Sequence, residues 1–330
     1  MESRFFMSYK YTMFLLRIIF IVVLIWLSFF GPYKAFLNSN PVTDKKYFDV
    51  YEGSSMYAVL NNLKLNSSIN KIFFKIYLNI NSIESFQAGE YAIENKNFIE
   101  IIDLLASGKT FTHSFAIIEG MNIYDLESKI NKSYLINDCS FLACIKSDYP
   151  FKEGVLYPDT YYYKKGMKAS EILNKSHKKL DNILNTIWIK KPQNDILKNK
   201  YQALVLASII EKEAGNHEEK TDIASVFLKR LSIGMRLQAD PTIIYGLLPN
   251  FSGDIRKSDI LDKNNIYNTY MIKGLPPTPI SISSMSSIKA AIMSLPGEYL
   301  YFVANSPNSH YFSRTYDEHL NMIKKVGLDK

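Results

Sequence analysis

Apolar residues open this chain as one nearly unbroken block and later settle into the short periodic runs of a folded body. From Met13 to Phe30 the sequence MFLLRIIFIVVLIWLSFF is interrupted by Arg17 and Ser28 alone, and as a helix it would be about 27 Å long, enough to cross a bilayer. Arg17 lies near its start, where the guanidinium can snorkel to the headgroups. Arg4 and Lys10 precede the block, so the positive-inside rule puts residues 1–11 in the cytoplasm, a membrane helix over 12–31 and everything later outside. No small-x-small cleavage site follows in SFFGPYKAF, which favours an uncleaved anchor over a signal peptide. Pro32, Pro41 and the polar run Asn38-Ser39-Asn40 read as a linker over 32–46.

The pattern then predicts a small α+β module. Strands are expected at Tyr47–Tyr51, Gly89–Ile93 and Thr110–Ile118, and helices at Met56–Leu63, Lys71–Ile80 and Phe98–Ala106, the last ending at Gly108. Past Glu119-Gly120 the periodicity turns more helical, with an exposed Lys- and Asn-rich connection near Lys190–Lys200. Tyr201–Ala214, YQALVLASIIEKEA, is apolar at nearly every position until two glutamates arrive and Gly215 stops it, so it must be a buried helix. Thr221–Leu231 and Ser287–Met293 read as further helices and Tyr299–Ala304 as a late strand.

At 330 residues the chain has room for about two domains, and 47% apolar with 22% charged residues excludes wholesale disorder and a many-spanning membrane protein. Lys+Arg exceed Asp+Glu by 39 to 32, a charge of +7 that would suit an anionic partner. The lysines are scattered, however, and form no basic stripe interleaved with aromatics, so nucleic acid is not an expected partner. Cys139 and Cys144 allow one disulfide at most, and whether they pair stays open. Ser107-Gly108-Lys109-Thr110 mimics the end of a phosphate loop, but Asp103 stands where its first glycine belongs. Nucleophile-elbow, dinucleotide and zinc-protease signatures are missing, and the five histidines are widely separated. His310 and His319 could approach one another, although surface positions suit them better.

Chemistry is best sought at the end of the buried helix. Glu211 and Glu213 are two residues apart and point about 200° away from each other, so one at most can face a given cleft, and periodicity does not choose between them. A carboxyl at the apolar end of a buried helix loses solvation, its pKa rises, and it can serve as a general acid. The plain alternative is a solvated, fraying last turn. Asp240-Pro241-Thr242 and Pro158-Asp159-Thr160 suit turn capping, Gly274-Leu275-Pro276-Pro277 suits a stiff groove wall or equally a plain connection, and the Tyr267–Tyr270 segment offers groups that suit sugars or equally a satisfied loop network.

Three blocks in order, LASIIEKEAG (Leu206–Gly215), IASVFLKRLSIGMRLQADPTIIYG (Ile223–Gly246) and YNTYMIKGLPPTPI (Tyr267–Ile280), resemble the endolytic murein transglycosylase family, also called MltG or YceG-like. The likeness extends to AGEYAI (Ala88–Ile93), IIEGM (Ile117–Met121), EGVLYPDTYYY (Glu153–Tyr163), YLYFVA (Tyr299–Ala304) and the His310–His319 segment. It departs at Ile282-Ser283-Ser284, where Asn/Thr-Pro-Gly is usual, and at Met293-Ser294, where His-Pro is usual. The resemblance implies an α+β protein with a single inner-membrane helix, a LysM-like glycan-binding domain over 47–119 and a mixed α/β catalytic domain over 120–330 on the periplasmic side. It also implies that the second Glu of the E-K-E triplet, here Glu213, is catalytic. The implied reaction is internal cleavage of the MurNAc–GlcNAc bond of nascent peptidoglycan strands with 1,6-anhydroMurNAc ends, beside penicillin-binding synthases and with no metal or cofactor. Gln238, Asp240, Asn268 and Tyr270 are the expected groove residues. A non-catalytic, membrane-anchored peptidoglycan-binding scaffold and a hydrolytic muramidase are the alternatives.

Overall fold

The computed structural model describes residues 2–41, 45–306 and 309–327; Met1 of the expected tail, residues 42–44 of the expected linker and 328–330 at the end of the expected catalytic domain lie outside them. Two compact units divide the chain, residues 1–112 and 113–330.

The first unit opens with α1 (Glu2–Leu37), whose Tyr11–Leu37 stretch, with a mean hydropathy of 2.7 over its most apolar 18 residues, is long and apolar enough to cross a membrane. The helix does not stop at Gly31-Pro32 as the linker reading requires. Proline removes one backbone donor, but the following turn seats Phe36, 5% exposed, against Phe98 at 4.6 Å and Tyr33 against Phe73 at 5.5 Å, and that burial offsets the lost bond. The body of the unit is α+β: β1 (Tyr47–Val50), α2 (Met56–Asn62), α3 (Ser68–Ile80), β2 (Gly89–Ala92) and α4 (Phe98–Ser107). β1 and β2 pair antiparallel, Tyr47 opposite Ala92. Asn97 and Glu100 form a capping box at the start of α4, and Gly108 ends the helix in the left-handed conformation at φ 67°. Leu60, Leu63, Phe74, Tyr91, Phe98, Ile101, Ile102 and Leu105 fill the core, and Asp103 accepts a hydrogen bond from the Tyr77 hydroxyl, a structural use for the residue that spoils the phosphate-loop pattern.

The second unit begins earlier than the sequence pattern suggests. The strand expected at Thr110–Ile118 is β3 (His113–Ile117), and it pairs antiparallel with β4 (Asp159–Tyr163), which assigns it to the second unit and moves the boundary from 119/120 to 112/113. Between them come α5 (Ile123–Asn131) and a turn closed by the Cys139–Cys144 disulfide. Then follow α6 (Ala169–Trp188), α7 (Lys200–Glu213), α8 (Lys220–Ser232), α9 (Asp240–Leu247), α10 (Lys257–Ile260) and α11 (Met285–Met293). The chain closes with the antiparallel hairpin β5 (Tyr301–Ser306) and β6 (Ser309–Ser313) and with α12 (Tyr316–Val326). As its composition demands, α7 is the central element: Ala203 to Ile210 are all buried, and α8 and α11 pack on it.

A polar knot fixes the end of α7. Glu211 accepts hydrogen bonds from the Ser284 backbone N–H (2.8 Å) and from the hydroxyls of Ser284 and Ser287 (both 2.6 Å), and it pairs with Lys220 Nζ at 3.0 Å. Lys220 also donates to Ser284 Oγ at 2.9 Å. One carboxylate thereby joins the last turn of α7 to the first turns of α8 and α11. Ser284, one of the departures from the family pattern, is the N-cap of α11 and a mainstay of this knot. Burial raises the Glu211 pKa, but the serine and lysine hydrogen bonds outweigh it and hold the carboxyl below its usual value. A depressed folded-state pKa contributes stability above the ordinary carboxyl range that is lost as pH falls through the lowered value. Lys220→Met, which strands Glu211, should cost about 3–5 kcal/mol in urea unfolding of the detergent-solubilised chain at neutral pH, and the deficit should shrink toward pH 4.

Candidate active site

The two glutamates of α7 take opposite directions, as their spacing requires. Glu211 enters the knot, while Glu213, the last residue of α7, reaches a cavity of about 410 Å³. Its walls come from α8 (Arg230), the segment before α9 (Gln238) and α9 itself (Asp240), the loop after α10 (Tyr270), the β5–β6 hairpin (Tyr301, Phe302, Val303, Ala304, His310) and α12 (Tyr316, His319).

Glu213 keeps some accessible surface yet is crowded by protein on nearly all sides. Burial raises its pKa, the Asp240 carboxylate raises it further, and Arg230 opposes both; the balance sits at about 8. A carboxylic acid that keeps its proton at neutral pH, at the edge of a sugar-sized cavity, is equipped to donate it to a leaving oxygen.

Asp240 and Tyr270 form one wall, joined by a 2.6 Å hydrogen bond from the Tyr270 hydroxyl to Asp240 Oδ1. Burial, followed by that bond to Asp240, pushes the Tyr270 phenol up. Gln238 lies beside them in the left-handed region at φ 50°, a conformation costly for a residue with a side chain. Its N–H donates to the Thr269 carbonyl (3.2 Å), the next N–H, of Ala239, donates to Thr269 Oγ1 (2.9 Å), and Thr242 Oγ1 donates to the Ala239 carbonyl (2.6 Å). These bonds hold the turn that presents Gln238 and Asp240 to the cavity. Asp240 is the first residue of α9, after the N-cap Ala239, and its side chain caps no backbone N–H among the described residues but takes the Tyr270 hydroxyl, so the turn-capping reading of Asp240-Pro241-Thr242 does not hold.

Asn268 is not a groove residue. It is fully buried, its amide donates to the carbonyls of Asp259, Ile260 and Asp262 at 2.9–3.1 Å, and its Oδ1 accepts from the Tyr270 N–H at 3.0 Å. Those bonds commit both amide hydrogens and one lone pair of Oδ1 to the backbone, so it shapes the loop that carries Tyr270. The periodic reading had no means of separating an amide aimed at a ligand from one aimed inward.

Other cavity residues were not anticipated. Arg230 is 6% exposed, donates from Nε to the Leu300 carbonyl (2.7 Å) and from Nη1 to the Leu237 carbonyl (2.6 Å), and lies 5.5 Å from the Tyr301 ring centroid. An arginine at an interior position of an amphipathic helix was the available signal. His310 and His319 are wall residues and not surface histidines. His310 is held by Glu219, with Nδ1 2.7 Å from Oε2 and its backbone N–H donating to Oε1 at 2.8 Å. His319 stacks on Tyr301 at 5.1 Å, and burial, with Arg230 nearby, lowers its pKa.

A second buried carboxyl, Glu153, lies outside this cavity. Burial pushes its pKa up to about 7, although it accepts from the N–H groups of Ile123 and Gly154 and from the Tyr245 hydroxyl. It ties the start of α5 to α9. Among the described residues no group of three His, Cys, Asp or Glu is placed to hold a metal ion.

Comparison with known proteins shows the family. The model of the YceG-like family matches residues 48–325. The endolytic murein transglycosylase of Bacillus subtilis (strain 168) is 30% identical over 311 residues, covering 86% of this chain and 85% of the relative. The endolytic murein transglycosylase of Streptococcus pneumoniae (strain D39) is 28% identical over 171 residues, 51% of this chain and 31% of that larger relative. A crystal structure of a YceG-like protein from Listeria monocytogenes superposes with a TM-score of 0.55 at 30% identity, covering 84% of this chain and 99% of that one. With the family model spanning nearly everything after the apolar helix, and the Bacillus and Listeria proteins alike over most of their length, the chain belongs to the YceG-like family.

Proposed function

We propose that this protein is an endolytic lytic transglycosylase that cuts the MurNAc–GlcNAc bond within peptidoglycan strands and leaves 1,6-anhydroMurNAc ends, with Glu213 as the general acid. The observation that carries the reading is a protonated carboxyl, with a pKa of about 8, at the wall of a cavity that also offers Asp240, Gln238 and Tyr270 as hydrogen-bonding groups. The names of the relatives supply the substrate class.

Glycosidases that use water as nucleophile need a second carboxylate as base or nucleophile. Here the muramoyl C6 hydroxyl does the work of water. Glu213 gives its proton to the glycosidic oxygen as the C1–O bond breaks and the electron pair leaves with that oxygen. The C6 oxygen then bonds to C1, and the hydroxyl proton returns to the Glu213 carboxylate, closing the cycle without water. A carboxyl whose pKa lies near neutrality suits both halves of that exchange. Gln238 and Asp240, the latter aligned by Tyr270, hold the glycan; Asn268 acts behind them.

The apolar α1 would anchor the chain as a single-pass protein of the inner membrane, with its short N-terminus in the cytoplasm and both folded units outside. A tether of that kind confines the active site to strands close to the membrane, where penicillin-binding synthases extend them, and cutting there would end polymerisation. The α+β body of the first unit, which the family likeness implies is a LysM-like module, would hold glycan. The Cys139–Cys144 disulfide is compatible with an oxidising compartment.

A hydrolytic muramidase is the second reading, favoured by Asp240, a second carboxylate on the same cavity wall. It would incorporate isotopic oxygen from labelled water into new reducing ends, whereas the transglycosylase incorporates none.

Glu213→Gln should lower release of anhydro-ended fragments from uncrosslinked glycan by at least about 100-fold with glycan binding retained; undiminished anhydro products by mass spectrometry would refute the role of Glu213. Cleavage by the unaltered protein should hold through neutral pH and fall as pH rises through about 8, where Glu213 loses its proton. Because the folded-state pKa is raised, the stability linked to Glu213 is complete below the ordinary carboxyl range and is lost as pH climbs to about 8. Thermal unfolding of Glu213→Gln should therefore fall less between pH 5 and pH 8 than that of the unaltered chain.

A further inference from the structure

Beyond Glu213 the cavity holds a second group built for proton transfer. Glu219 and His310 form a carboxylate–imidazole pair whose side chains are 15% and 10% exposed. An ionised carboxylate can only accept, so the Nδ1 atom 2.7 Å from Glu219 Oε2 must carry the ring proton, which fixes the tautomer. The second oxygen of the same carboxylate accepts the His310 backbone N–H, and the Phe302 ring meets the imidazole edge-to-face at 5.4 Å, so the ring has little freedom to turn. In the neutral ring Nε2 is then the acceptor, with no protein partner among the described residues, on a residue that lines the cavity of Glu213. A purely structural latch between hairpin and loop would need no imidazole in the cavity wall.

The placement of the pair follows from one short loop. Glu213 ends α7 and Glu219 precedes α8, and between them Asn216 Oδ1 accepts the N–H groups of Glu218 (2.8 Å) and Glu219 (2.9 Å). The loop that starts at the acid therefore also aims the carboxylate that orients the imidazole. Such a pair is the usual means of holding a histidine as a base in one tautomer.

We infer that His310 is a second catalytic residue, whose Nε2 takes the proton from the muramoyl C6 hydroxyl as that oxygen bonds to C1, with Glu219 as its positioning residue. The inference rests on the transglycosylase reading and divides its proton path in two. Glu213 donates to the glycosidic oxygen and becomes a carboxylate; the C6 oxygen forms its bond to C1 while its proton moves to Nε2, making an imidazolium; that proton then passes to the Glu213 carboxylate. Both residues return to their starting forms, and no water is consumed.

The test is the partition between anhydro ends and reducing ends, which differ by one water in mass, on nascent uncrosslinked glycan. In His310→Gln, with Glu213 intact, anhydro products should form about 100-fold more slowly, and reducing ends should become the larger share of what is cut, because water competes once the C6 hydroxyl has no base. Glu219→Gln should shift the partition in the same direction by a smaller factor, and it supplies the reading if His310→Gln does not fold by thermal denaturation. A folded variant that keeps the unaltered partition, whether its rate is unchanged or uniformly lower, overturns the assignment and leaves His310 a wall residue. Failure of the transglycosylase reading itself would be distinct: the unaltered protein would then yield reducing ends or no cleavage at all.

Discussion

The chemistry proposed for this protein depends on the dryness of one carboxyl. Glu213 terminates a helix that is buried at eight successive positions, Ala203 to Ile210, so the side chain leaves the core with protein around it and a small cavity ahead. Under those conditions desolvation, reinforced by Asp240, outweighs the attraction of Arg230, and the acid keeps its proton at neutral pH. Two residues earlier on the same helix, Glu211 meets the opposite outcome. It is also buried, but three hydrogen bonds from Ser284 and Ser287 and the charge of Lys220 stabilise its ionised form. The same chemical group thus serves as proton donor in one place and as structural anchor in the other, through its neighbours alone.

The anchor serves the donor. By joining α7 to α8 and α11, the Glu211 knot holds the helix end from which Glu213 projects, and Arg230 on α8 reaches across to the Leu300 carbonyl just before the hairpin. On the hairpin side of the cavity, α12 buries no residue and rests on the hairpin through Tyr301, Tyr316 and His319.

Much of this was legible in the residues. The apolar block at the start, the buried helix α7 and the divergence of Glu211 from Glu213 follow from periodicity and spacing, while the choice of Glu213 and the expectation of Gln238, Asp240 and Tyr270 at one cleft come with the family likeness. Asn268 was misplaced because a loop asparagine offers the same amide to a ligand or to three backbone carbonyls, and chain spacing does not tell which way it faces. The continuation of α1 through Pro32 was missed because the favourable term is contact of Phe36 with Phe98, some sixty positions away.

What the chain alone determined is local: which stretches are apolar enough to bury or to span a bilayer, where helices start and stop, and which carboxyls end a buried helix. What tertiary structure decided is which of those groups share a solvent-poor space. Arg230, His310 and His319 line one cavity with Glu213, and Glu219 is tied to that cavity through its bond to His310. Proton affinity depends on through-space charge and lost hydration, and both are set by neighbours in space, however distant along the chain.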